Sequence, residues 1–440
     1  MAEQASGKKG FLSWYFGANL LVRIMIGLIL GAIVGVALAF SAPETGQAFI
    51  KYTKFFGDLF INLLKMIVVP VIFLSLIAGG ASIAPAQLGR VGVKTLCYYL
   101  GMTIVAVTIG LVMSTILSPG EGLGILGAEG AQGKAAKAPG FDQVLLAIVP
   151  TNPIASLAKG DVLPIIFFAL IFGIALSFLK ESANATLRRQ AETLFDIVSA
   201  GAEVMYKIVH GIMQYAPIGV FVLIAIVFAQ QGPRVIGPLV FVTALVYICL
   251  IMHIFIGYGG IMAVFGLNLF TFLKGAQEAM ITAFVTRSSS ATLPISLQVS
   301  EEKLGVPRSI SSFALPIGAT VNMEGTAIYL SVCATFIANA VGQPLTFDQQ
   351  LTILITGTLG AIGAAGVPGA GAIMMLMVLE SIGLKVEAGS AVAAAYAMIL
   401  GIDALLDMGR TCMNVTGDIN GVVIVSKSEG VLDLSKWKRA

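Results

Sequence analysis

Charged residues are scarce in this chain of 440 residues. They make up 11% of it, with 26 basic and 23 acidic side chains, whereas a soluble domain carries about 25%. The mean hydropathy of +0.94 agrees with this shortage. The net charge of +3 is small and comes mostly from the basic ends of the chain, so no basic surface is available for nucleic acid. The composition therefore indicates an integral membrane protein without a nucleic-acid partner.

Cysteine and histidine are also few. The four cysteines stand apart in separate apolar segments, without a CxxC pair: Cys97, Cys249, Cys333 and Cys412. We therefore expect neither disulfides nor a cysteine metal site. The two histidines, His210 and His253, each lie alone in an apolar segment, where a packing role is commoner than a proton relay, although both roles stay open. A hydrolase is disfavoured too, because the serines at 288–290 have no obvious histidine partner.

A series of long apolar windows takes the place of a soluble core. The windows lie near 18–42, 54–83, 93–118, 162–180, 196–229 and 235–265. About 20 apolar residues span a bilayer as a helix, and the alternating ten-residue strands of a membrane barrel are absent from the sequence. No small-residue cleavage site follows the first window, so we expect a first membrane helix there and not a removed signal peptide. The sequence thus predicts an all-α polytopic membrane protein.

Basic residues predict the orientation of the chain. Lysine and arginine concentrate on the cytoplasmic side of membrane proteins, and here they form clusters at 8–9, 90–94, 180–189 and 436–439. Two apolar windows separate the first cluster from the second, and two more separate the second from the third. We therefore expect both termini to be cytoplasmic, in a multi-pass protein of the cell membrane (inner or plasma). Lys65, inside the second window, is expected to reach the membrane surface or a protein partner.

Four interrupted segments follow residue 265. They are, with the polar or glycine-rich interruption of each in parentheses, 271–303 (286–294), 309–340 (322–326), 350–382 (363–372) and 390–425 (403–418). Irregular backbone at membrane depth is tolerated only where protein or water satisfies it, and paired discontinuous segments indicate the binding site of a transporter. We therefore expect two re-entrant helical hairpins whose tips meet two interrupted helices near the middle of the membrane.

The last segment carries a stripe of charges in apolar surroundings. Asp403, Asp407 and Arg410 recur at helical spacing, and one charge at the middle of a bilayer costs roughly 2.5 kcal/mol or more. Asp407 and Arg410 share one face of a helix and can bind the two charges of a zwitterion or a small diacid. Asp418 and Glu324 offer hard oxygen ligands for Na⁺, while a desolvated Glu324 can alternatively carry a proton.

Four motifs together make the chain similar to a known family. They are Thr286-Arg-Ser-Ser-Ser-Ala-Thr-Leu-Pro294, Asn322-Met-Glu-Gly-Thr326, Ala365-Gly-Val-Pro-Gly-Ala-Gly371 and Asp407-Met-Gly-Arg-Thr-Cys-Met-Asn-Val-Thr-Gly-Asp418. In this order they resemble the glutamate transporter homologues (the dicarboxylate/amino acid:cation symporter family), above all the archaeal and bacterial sodium–aspartate symporters. The resemblance implies eight transmembrane helices and two re-entrant hairpins with inverted repeats. It also implies a homotrimer whose protomers work independently by an elevator mechanism.

The resemblance divides each protomer into a static scaffold and a moving transport domain. Its implied boundaries are 1–92 for scaffold helices one and two, 93–118 for helix three of the transport domain, 119–233 for an extracellular loop with scaffold helices four and five, and 234–440 for the rest of the transport domain. That last part would hold helix six, the first hairpin, helix seven, the second hairpin and helix eight. All four motifs would then belong to the moving domain.

Ligands carry over from the resemblance residue by residue. Arg410 would hold the side-chain carboxylate of the substrate and Asp407 its ammonium. The implied substrate-binding set is Arg287, Ser288, Ser289, Met323, Thr326, Val367, Gly371, Asp407, Arg410, Thr411 and Asn414. The first Na⁺ site would use carbonyls of Gly318, Asn322 and Asn414 with the Asp418 carboxylate. The second would use mostly backbone carbonyls, those of Thr320, Met323, Ala361, Ile362 and Ala364. A third ion site would use Tyr99, Thr103, Asn322 and Glu324. There Met102 replaces a hydroxyl residue of sodium-coupled relatives, and Glu324 is one methylene longer than their aspartate.

The sequence thus predicts a carrier and not an enzyme. Its expected activity is secondary active symport of an acidic amino acid, L-aspartate or L-glutamate, driven by a Na⁺ gradient. Coupling to H⁺ through Glu324, in part or wholly, is one alternative. A C4-dicarboxylate substrate is another, although it brings no ammonium for Asp407. An anion channel would need a continuous polar pore, whereas these motifs form a local site.

Overall fold

A computed structural model describes residues 20–81, 90–125, 146, 148–362, 369–387 and 389–437. Within these ranges every regular element is a helix, as the all-α prediction requires. Some expectations fall outside the described residues: those on the first and last basic residues, on much of the extracellular loop expected after residue 118, and on Ala364 and Val367.

Helices occupy all six apolar windows. In chain order they are α1 (Leu20–Ala39), α2 (Pro43–Ala81), α3 (Arg90–Leu117), a short α4 (Pro153–Lys159), α5 (Val162–Lys180), α6 (Ala185–Gln231) and α7 (Ile236–His253). A π-turn, Ile254–Tyr258, leads directly from α7 into α8 (Gly259–Val264). The short helix α4 begins after Asn152, whose side chain caps its start.

Small residues let α1 lie directly on α6. Gly27, Gly31 and Gly35 are four residues apart and share one face of α1. A β-carbon on any of them would lie 2.4 to 2.6 Å from an atom of α6. Inside a membrane, such close backbone packing replaces the hydrophobic effect as the force that holds helices together. With further contacts of α2 and α5, the helices α1, α2, α5 and α6 form one contiguous group.

The second half contains the interrupted segments. Its helices are α9 (Leu269–Thr286), α10 (Ser289–Gln298), α11 (Arg308–Val321), α12 (Glu324–Ala340), α13 (Phe347–Ile362), α14 (Ala370–Ser381), α15 (Ala391–Ser428) and a short α16 (Leu434–Trp437). The helices on either side of the first interruption, α9 and α10, contact each other, and so do α13 and α14 at the third. We call these the first and the second helix pair. The second interruption separates α11 from α12 at Asn322 and Met323.

The last segment differs from the expectation. The polar stripe was expected to interrupt it, but α15 runs without a break from Ala391 to Ser428. The segment contains no proline, so no intrahelical hydrogen bond is removed. Three charges of the stripe, Asp403, Asp407 and Arg410, pair with one another along the helix, and they need no exposed backbone. The prediction of a fourth interruption is therefore wrong.

Two helices, α12 and α15, form the centre of the second half. α12 is buried along nearly its whole length and contacts α3, α7, α13, α14 and α15. In the described part of the chain, six helical segments are long and apolar enough to cross a membrane, and the most apolar 18-residue window of the one that contains α11 and α12 is fully buried. The protein is thus a multi-pass membrane protein. The count of eight transmembrane helices stays a prediction.

Candidate functional site

The polar stripe of α15 lies inside the protein. Its functional side chains are all at least nine-tenths buried: Asp403, Asp407, Arg410, Thr411, Asn414 and Asp418. They recur every three or four residues, with one step of one residue, and so line one side of the helix. That side faces the tip of the first helix pair, the break between α11 and α12, and the start of α14. The four sequence motifs therefore meet along α15.

Arg410 is held between two carboxylates. Its Nη1 donates to Asp403 Oδ1 at 3.0 Å, while Nε and Nη2 donate to Asp407 Oδ1 at 3.1 and 2.8 Å. Thr411 Oγ1 donates to the same Asp407 oxygen at 3.2 Å. A guanidinium has five N–H donors, so two remain beyond these three contacts. The other carboxylate oxygen, Asp407 Oδ2, is buried and has no hydrogen-bond partner among the described residues.

Two neighbours fix the plane of this guanidinium. Arg410 Cζ lies 4.4 Å from the centre of the Tyr329 ring, which is a cation–π contact. On α14, a β-carbon at Gly371 would lie 2.3 Å from Arg410 Nη1. Any larger residue at position 371 would displace the guanidinium. The predicted site residue Gly371 thus contacts the predicted site residue Arg410.

The tip of the first helix pair reaches the same place. Arg287 ends α9 with a left-handed φ of 54°, and its Nη1 lies 3.9 Å from Asp407 Oδ2. Ser288 caps α10 by accepting a hydrogen bond from the backbone N–H of Ala291. Ser289 is buried, and its hydroxyl has no partner within the described ranges. The start of α10 therefore offers backbone N–H groups and a hydroxyl, which suit a carboxylate.

Asn414 caps α12 from a neighbouring helix. α12 begins at Glu324 without a side-chain cap from Met323, the residue before it. Asn414 Oδ1 accepts from the backbone N–H of Gly325 at 2.8 Å and of Thr326 at 3.3 Å. Its Nδ2 contacts Met323 Sδ at 3.0 Å and Thr326 Oγ1 at 3.3 Å. This network ties α15 to the break between α11 and α12 and brings together three predicted site residues.

Asp418 faces the end of α11. Asn322 Nδ2 donates to Asp418 Oδ1 at 3.0 Å. A β-carbon on Gly318 would lie 2.6 Å from that oxygen and 2.7 Å from the hydroxyl of Tyr99, which itself donates to the Ala314 carbonyl at 3.0 Å. The last carbonyls of an α-helix lack intrahelical partners and carry partial negative charge. Gly318, Asn322 and Asp418, predicted for the first Na⁺ site, thus lie close together beside such an end.

The residues predicted for the second Na⁺ site lie at two helix ends. Thr320 and Met323 flank the end of α11, and Ala361 and Ile362 are the last residues of α13. The two helices contact each other. Both ends leave backbone carbonyls without intrahelical partners, which are the ligands expected there. Ala364 lies outside the described residues.

Glu324 has two partners that the sequence analysis did not assign to it. His253 Nε2 lies 2.7 Å from Glu324 Oε2, and Tyr258 OH lies 2.5 Å from the same atom. All three side chains are fully buried. Glu324 Oε1 and Asn322 Oδ1 have no hydrogen-bond partner in the described part of the chain. The sequence favours a packing role for His253 and leaves a proton relay open; the structure adds a contact between this histidine and a predicted ion-site residue.

The other residues of the predicted third ion site lie on α3. Thr103 Oγ1 donates to the Tyr99 carbonyl at 2.8 Å, within the same helix. Met102 is buried, and a β-carbon on Gly257 would lie 2.9 Å from its Cε and equally close to the His253 ring. The methionine that replaces a hydroxyl residue thus packs against the π-turn that follows His253.

A cavity of about 550 Å³ leads to the tip of the first helix pair. Arg287, Ser290 and Thr320 line one side of it, and the other side is formed by residues of α6 that include Lys207 and His210. His210 also contacts Gln214 on its own helix at 3.2 Å. The mixed charge of the lining suits a water-filled path to Arg287.

Four residues that contact the site were missing from the predicted set: Asp403, Tyr329, His253 and Tyr258. Asp403 has a signal in the sequence, because it lies seven residues, or two helical turns, before Arg410. His253 and Tyr258 have none. They are five residues apart, which puts them on different sides of an α-helix, and only the π-turn brings them together.

Buried ion pairs at the meeting point of interrupted helices, inside a multi-pass membrane protein, are typical of a secondary transporter. The model of the sodium:dicarboxylate symporter family matches residues 20–428. The chain belongs to this family. Its members are transporters and not enzymes, which confirms that part of the sequence analysis.

Known relatives match the chain along nearly its whole length. It is 34% identical over 425 residues to a proton/sodium-glutamate symport protein of Geobacillus stearothermophilus, covering 95% of this chain and 96% of that protein. It is 34% identical over 424 residues to a proton/glutamate-aspartate symporter of Escherichia coli K12, covering 94% of each. It is 32% identical over 431 residues to a C4-dicarboxylate transport protein of Rhodopseudomonas palustris BisB18, covering 97% and 91%. Substrates and coupling ions thus differ among the relatives.

The cap on α12 predicts the effect of two substitutions at position 414. Asn414→Leu nearly keeps the side-chain size but leaves the N–H groups of Gly325 and Thr326 without their acceptor, at a cost of about 1–3 kcal/mol. Asn414→Asp keeps an acceptor. We expect hydrogen exchange at these two amides to accelerate about tenfold or more in the leucine variant and to stay near the wild-type rate in the aspartate variant. Equal exchange in both variants would show that Asn414 does not cap α12.

Proposed function

We propose that this protein is a secondary active symporter of an acidic amino acid, L-aspartate or L-glutamate, driven by a Na⁺ gradient. The observation that carries the proposal is the geometry at Arg410 and Asp407. Two guanidinium N–H groups and one buried carboxylate oxygen remain there for a ligand. An acidic amino acid brings a side-chain carboxylate and an ammonium, which complement these two groups. The relatives named as glutamate and glutamate–aspartate symporters support the same substrate class.

Each charged part of the substrate has a matching group. The side-chain carboxylate would bind the remaining donors of Arg410 in bidentate geometry. The ammonium would bind Asp407 Oδ2. Arg287 Nη1 lies 3.9 Å from this oxygen. The α-carboxylate would bind the backbone N–H groups at Ser289, at the start of α10, and the amide of Asn414.

Hydroxyl groups and a lid complete the proposed site. Thr326 and Thr411 would add hydroxyl contacts, since both already belong to the networks around Asn414 and Asp407. The second helix pair would close over the substrate as a lid, as the resemblance implies. Gly371 supports this role, because α14 starts directly against the guanidinium of Arg410.

A C4-dicarboxylate fits this site less well. It brings only acceptors, whereas the buried Asp407 Oδ2 is itself an acceptor. Two carboxylates facing each other in a low-dielectric site repel. Since one relative is named as a C4-dicarboxylate transport protein, succinate is the competitor against which the substrate has to be tested.

Charge balance explains why cations accompany the substrate. The two arginines and two aspartates around the proposed substrate position carry no net charge together, so an acidic amino acid adds one buried negative charge. Asp418 and Glu324 add two more carboxylates, and no lysine or arginine in the described ranges forms an ion pair with either. Buried charges without partners are costly. Na⁺ at the helix ends beside Asp418 would offset this cost.

An elevator motion between two groups of helices is part of the proposal. The group α1, α2, α5 and α6 corresponds to the scaffold, and the helices packed around α12 and α15 correspond to the transport domain. Lys65 of α2 donates to the Val386 carbonyl at 2.8 Å across this boundary. It thus has the protein partner that the sequence allowed for, and this bond has to break when the transport domain moves. The homotrimer is proposed from the resemblance.

Contacts at one end of the protein support cytoplasmic termini. Arg90 and Lys94, at the start of α3, both pair with Glu429 just after α15, and the hydrogen bond from Lys94 holds the pKa of Glu429 below its usual range. Lys436 donates to the Glu301 carbonyl. Basic residues of two predicted cytoplasmic clusters are thus linked to the end of α15, Arg90 and Lys94 through Glu429 and Lys436 by its place seven residues later in the chain, which agrees with a cytoplasmic location of this end.

A second candidate differs only in the coupling ion. Glu324 Oε2 lies within hydrogen-bond distance of His253 and Tyr258, so a proton on this carboxyl group would have partners. Protonation would remove one buried negative charge, as a bound Na⁺ would. The relatives named for proton coupling favour testing this alternative.

Substitutions at Asp407 and Arg410 test the substrate class. In proteoliposomes with a Na⁺ gradient, Asp407→Asn should weaken L-aspartate uptake at low substrate concentration by about 10- to 100-fold, because a charge-assisted hydrogen bond of about 1.5–3 kcal/mol is lost. Arg410→Gln should lose uptake at least as severely. Asp348→Asn, at an exposed position on α13, is the matched control and should transport normally. Wild-type uptake by Asp407→Asn would rule out the proposed role of this residue.

Gradients imposed one at a time separate the coupling ions. A Na⁺ gradient at constant pH should drive L-aspartate accumulation in the wild-type protein. Its failure would exclude Na⁺ as the driving ion. Glu324→Gln cannot bind or release a proton at that position, so it should abolish any dependence on a pH gradient imposed at constant Na⁺. A pH response that survives in this variant would remove Glu324 as the proton carrier.

A further inference from the structure

We infer that His253 and Tyr258 are positioning residues for a cation site: they hold Glu324 Oε2 so that Glu324 Oε1 and the amide oxygen of Asn322 can bind Na⁺. The inference rests on the proposed function, because it says how the third cation site of that symport is built. Neither residue belongs to the motifs from which the site was predicted.

The π-turn makes this arrangement possible. Residues five apart lie about 140° apart around an α-helix of 3.6 residues per turn, and their side chains cannot meet at one atom. The wider turn at Ile254–Tyr258 brings residues 253 and 258 to the same side. Their ring centres are 5.0 Å apart and the rings stand edge to face at 72°. Single π-turns in α-helices are frequent at functional sites.

Two donors can reach Glu324 Oε2. The phenol of Tyr258 donates its O–H, and His253 donates from Nε2 when that nitrogen carries the ring proton. Two contacts on one oxygen fix the direction of the carboxyl group. Tyr258 OH also lies 3.1 Å from the Met413 carbonyl of α15, a second acceptor for the same proton. The pair therefore acts as a clamp on one carboxylate oxygen and leaves the other free.

Two buried oxygens remain without a partner beside the clamp. They are Glu324 Oε1 and Asn322 Oδ1, judged against all described residues. The amide of Asn322 is turned so that its Nδ2 donates to Asp418 Oδ1 at 3.0 Å, which leaves its oxygen available. A carboxylate oxygen and an amide oxygen are hard ligands that suit Na⁺.

Gly417 leaves room at this point. A β-carbon there would lie 2.7 Å from Asn322 Nδ2, 2.8 Å from Glu324 Oε1 and 2.8 Å from Tyr258 OH. The missing side chain thus borders a space that these three groups surround. An alanine at position 417 would push the proposed ligands and the clamp apart.

The clamp also gives a role to the two departures from the sodium-coupled pattern. Glu324 is one methylene longer than aspartate. His253 and Tyr258, at the end of α7 and in the π-turn, contact one oxygen of this longer side chain. Met102 packs against Gly257 of the π-turn and so supports the clamp. The loss of a hydroxyl ligand at position 102 thus accompanies a different way of holding the carboxylate.

Sodium titration of the substrate-free, full-length protein in nanodiscs tests this inference. Isothermal titration at constant pH and ionic strength, with choline as the replacing cation, gives the Kd for Na⁺ without any transport step. We expect Tyr258→Phe and His253→Leu to raise this Kd about 10- to 100-fold, the usual effect of losing a group that orients a metal ligand. Gly417→Ala should do the same. His253→Gln, which keeps an N–H donor, should restore part of the affinity.

Matched variants separate positioning from a general loss of structure. Tyr247→Phe removes a phenol on the same helix α7 whose O–H donates to the Leu405 carbonyl at 2.7 Å, and it should leave the Kd unchanged. The effect of Tyr258→Phe should persist in an Asp418→Asn background, where the first Na⁺ site is disabled. It should vanish in a Glu324→Gln background. Thermal unfolding in Na⁺-free buffer identifies any variant that does not fold. If His253→Leu or Gly417→Ala fails to fold, the Kd of Tyr258→Phe decides the test.

Two outcomes would overturn the inference. One is a Kd for Na⁺ within about twofold of wild type in both Tyr258→Phe and His253→Leu, since a lost orienting contact costs at least about tenfold. The other is a Kd for Na⁺ that is the same in the Glu324→Gln variant as in the wild-type protein. The titration contains no amino acid, so a failure of L-aspartate to be transported would contradict the proposed function and leave this result untouched.

Discussion

The ion pairs of Arg410 with Asp403 and Asp407 are the contact on which the second half of the protein depends. A guanidinium at membrane depth is costly without partners, and here both partners lie on the same helix, one and two turns earlier. This lets α15 pass through the protein as one regular helix. Because the guanidinium also packs on Tyr329 and against Gly371, it fixes how α12 and α14 sit against α15.

With α15 continuous, the irregular backbone is confined to its neighbours. The break between α11 and α12 is satisfied by Asn414 of α15 on one side, and it leaves carbonyl ends on the other side. Proposed substrate and cation ligands thus lie on a single helix. Asn414, which is proposed for both, lies between Arg410 and Asp418. A ligand that moves Arg410 or Asn414 would also move the surroundings of the cation sites. This shared helix is the physical basis that we propose for coupling substrate to ion.

Much of the site was predictable from the sequence, because charges in an apolar segment need partners. The spacing of Asp407 and Arg410 predicted that they share a helix face, where they now pair. The serine-rich interruption and the break at Asn322 predicted helix ends that are present. The predicted interruption of α15 was wrong, since polarity alone does not break a helix when its charges pair with one another. His253 and Tyr258 escaped prediction because a single π-turn changes which residues share a face, and no periodicity in the sequence signals it.

The central claim is that the site selects an acidic amino acid and needs Na⁺ to do so. Isothermal titration of L-aspartate, L-glutamate and succinate into the purified protein, with Na⁺ and with choline in its place, tests this claim most directly. We predict that at least one of the two amino acids binds in Na⁺ and binds about tenfold or more weakly without it, the size of a typical coupling between two sites. Succinate should bind in neither buffer. Succinate binding as tight as that of the amino acids, or amino-acid binding that ignores Na⁺, would contradict the account.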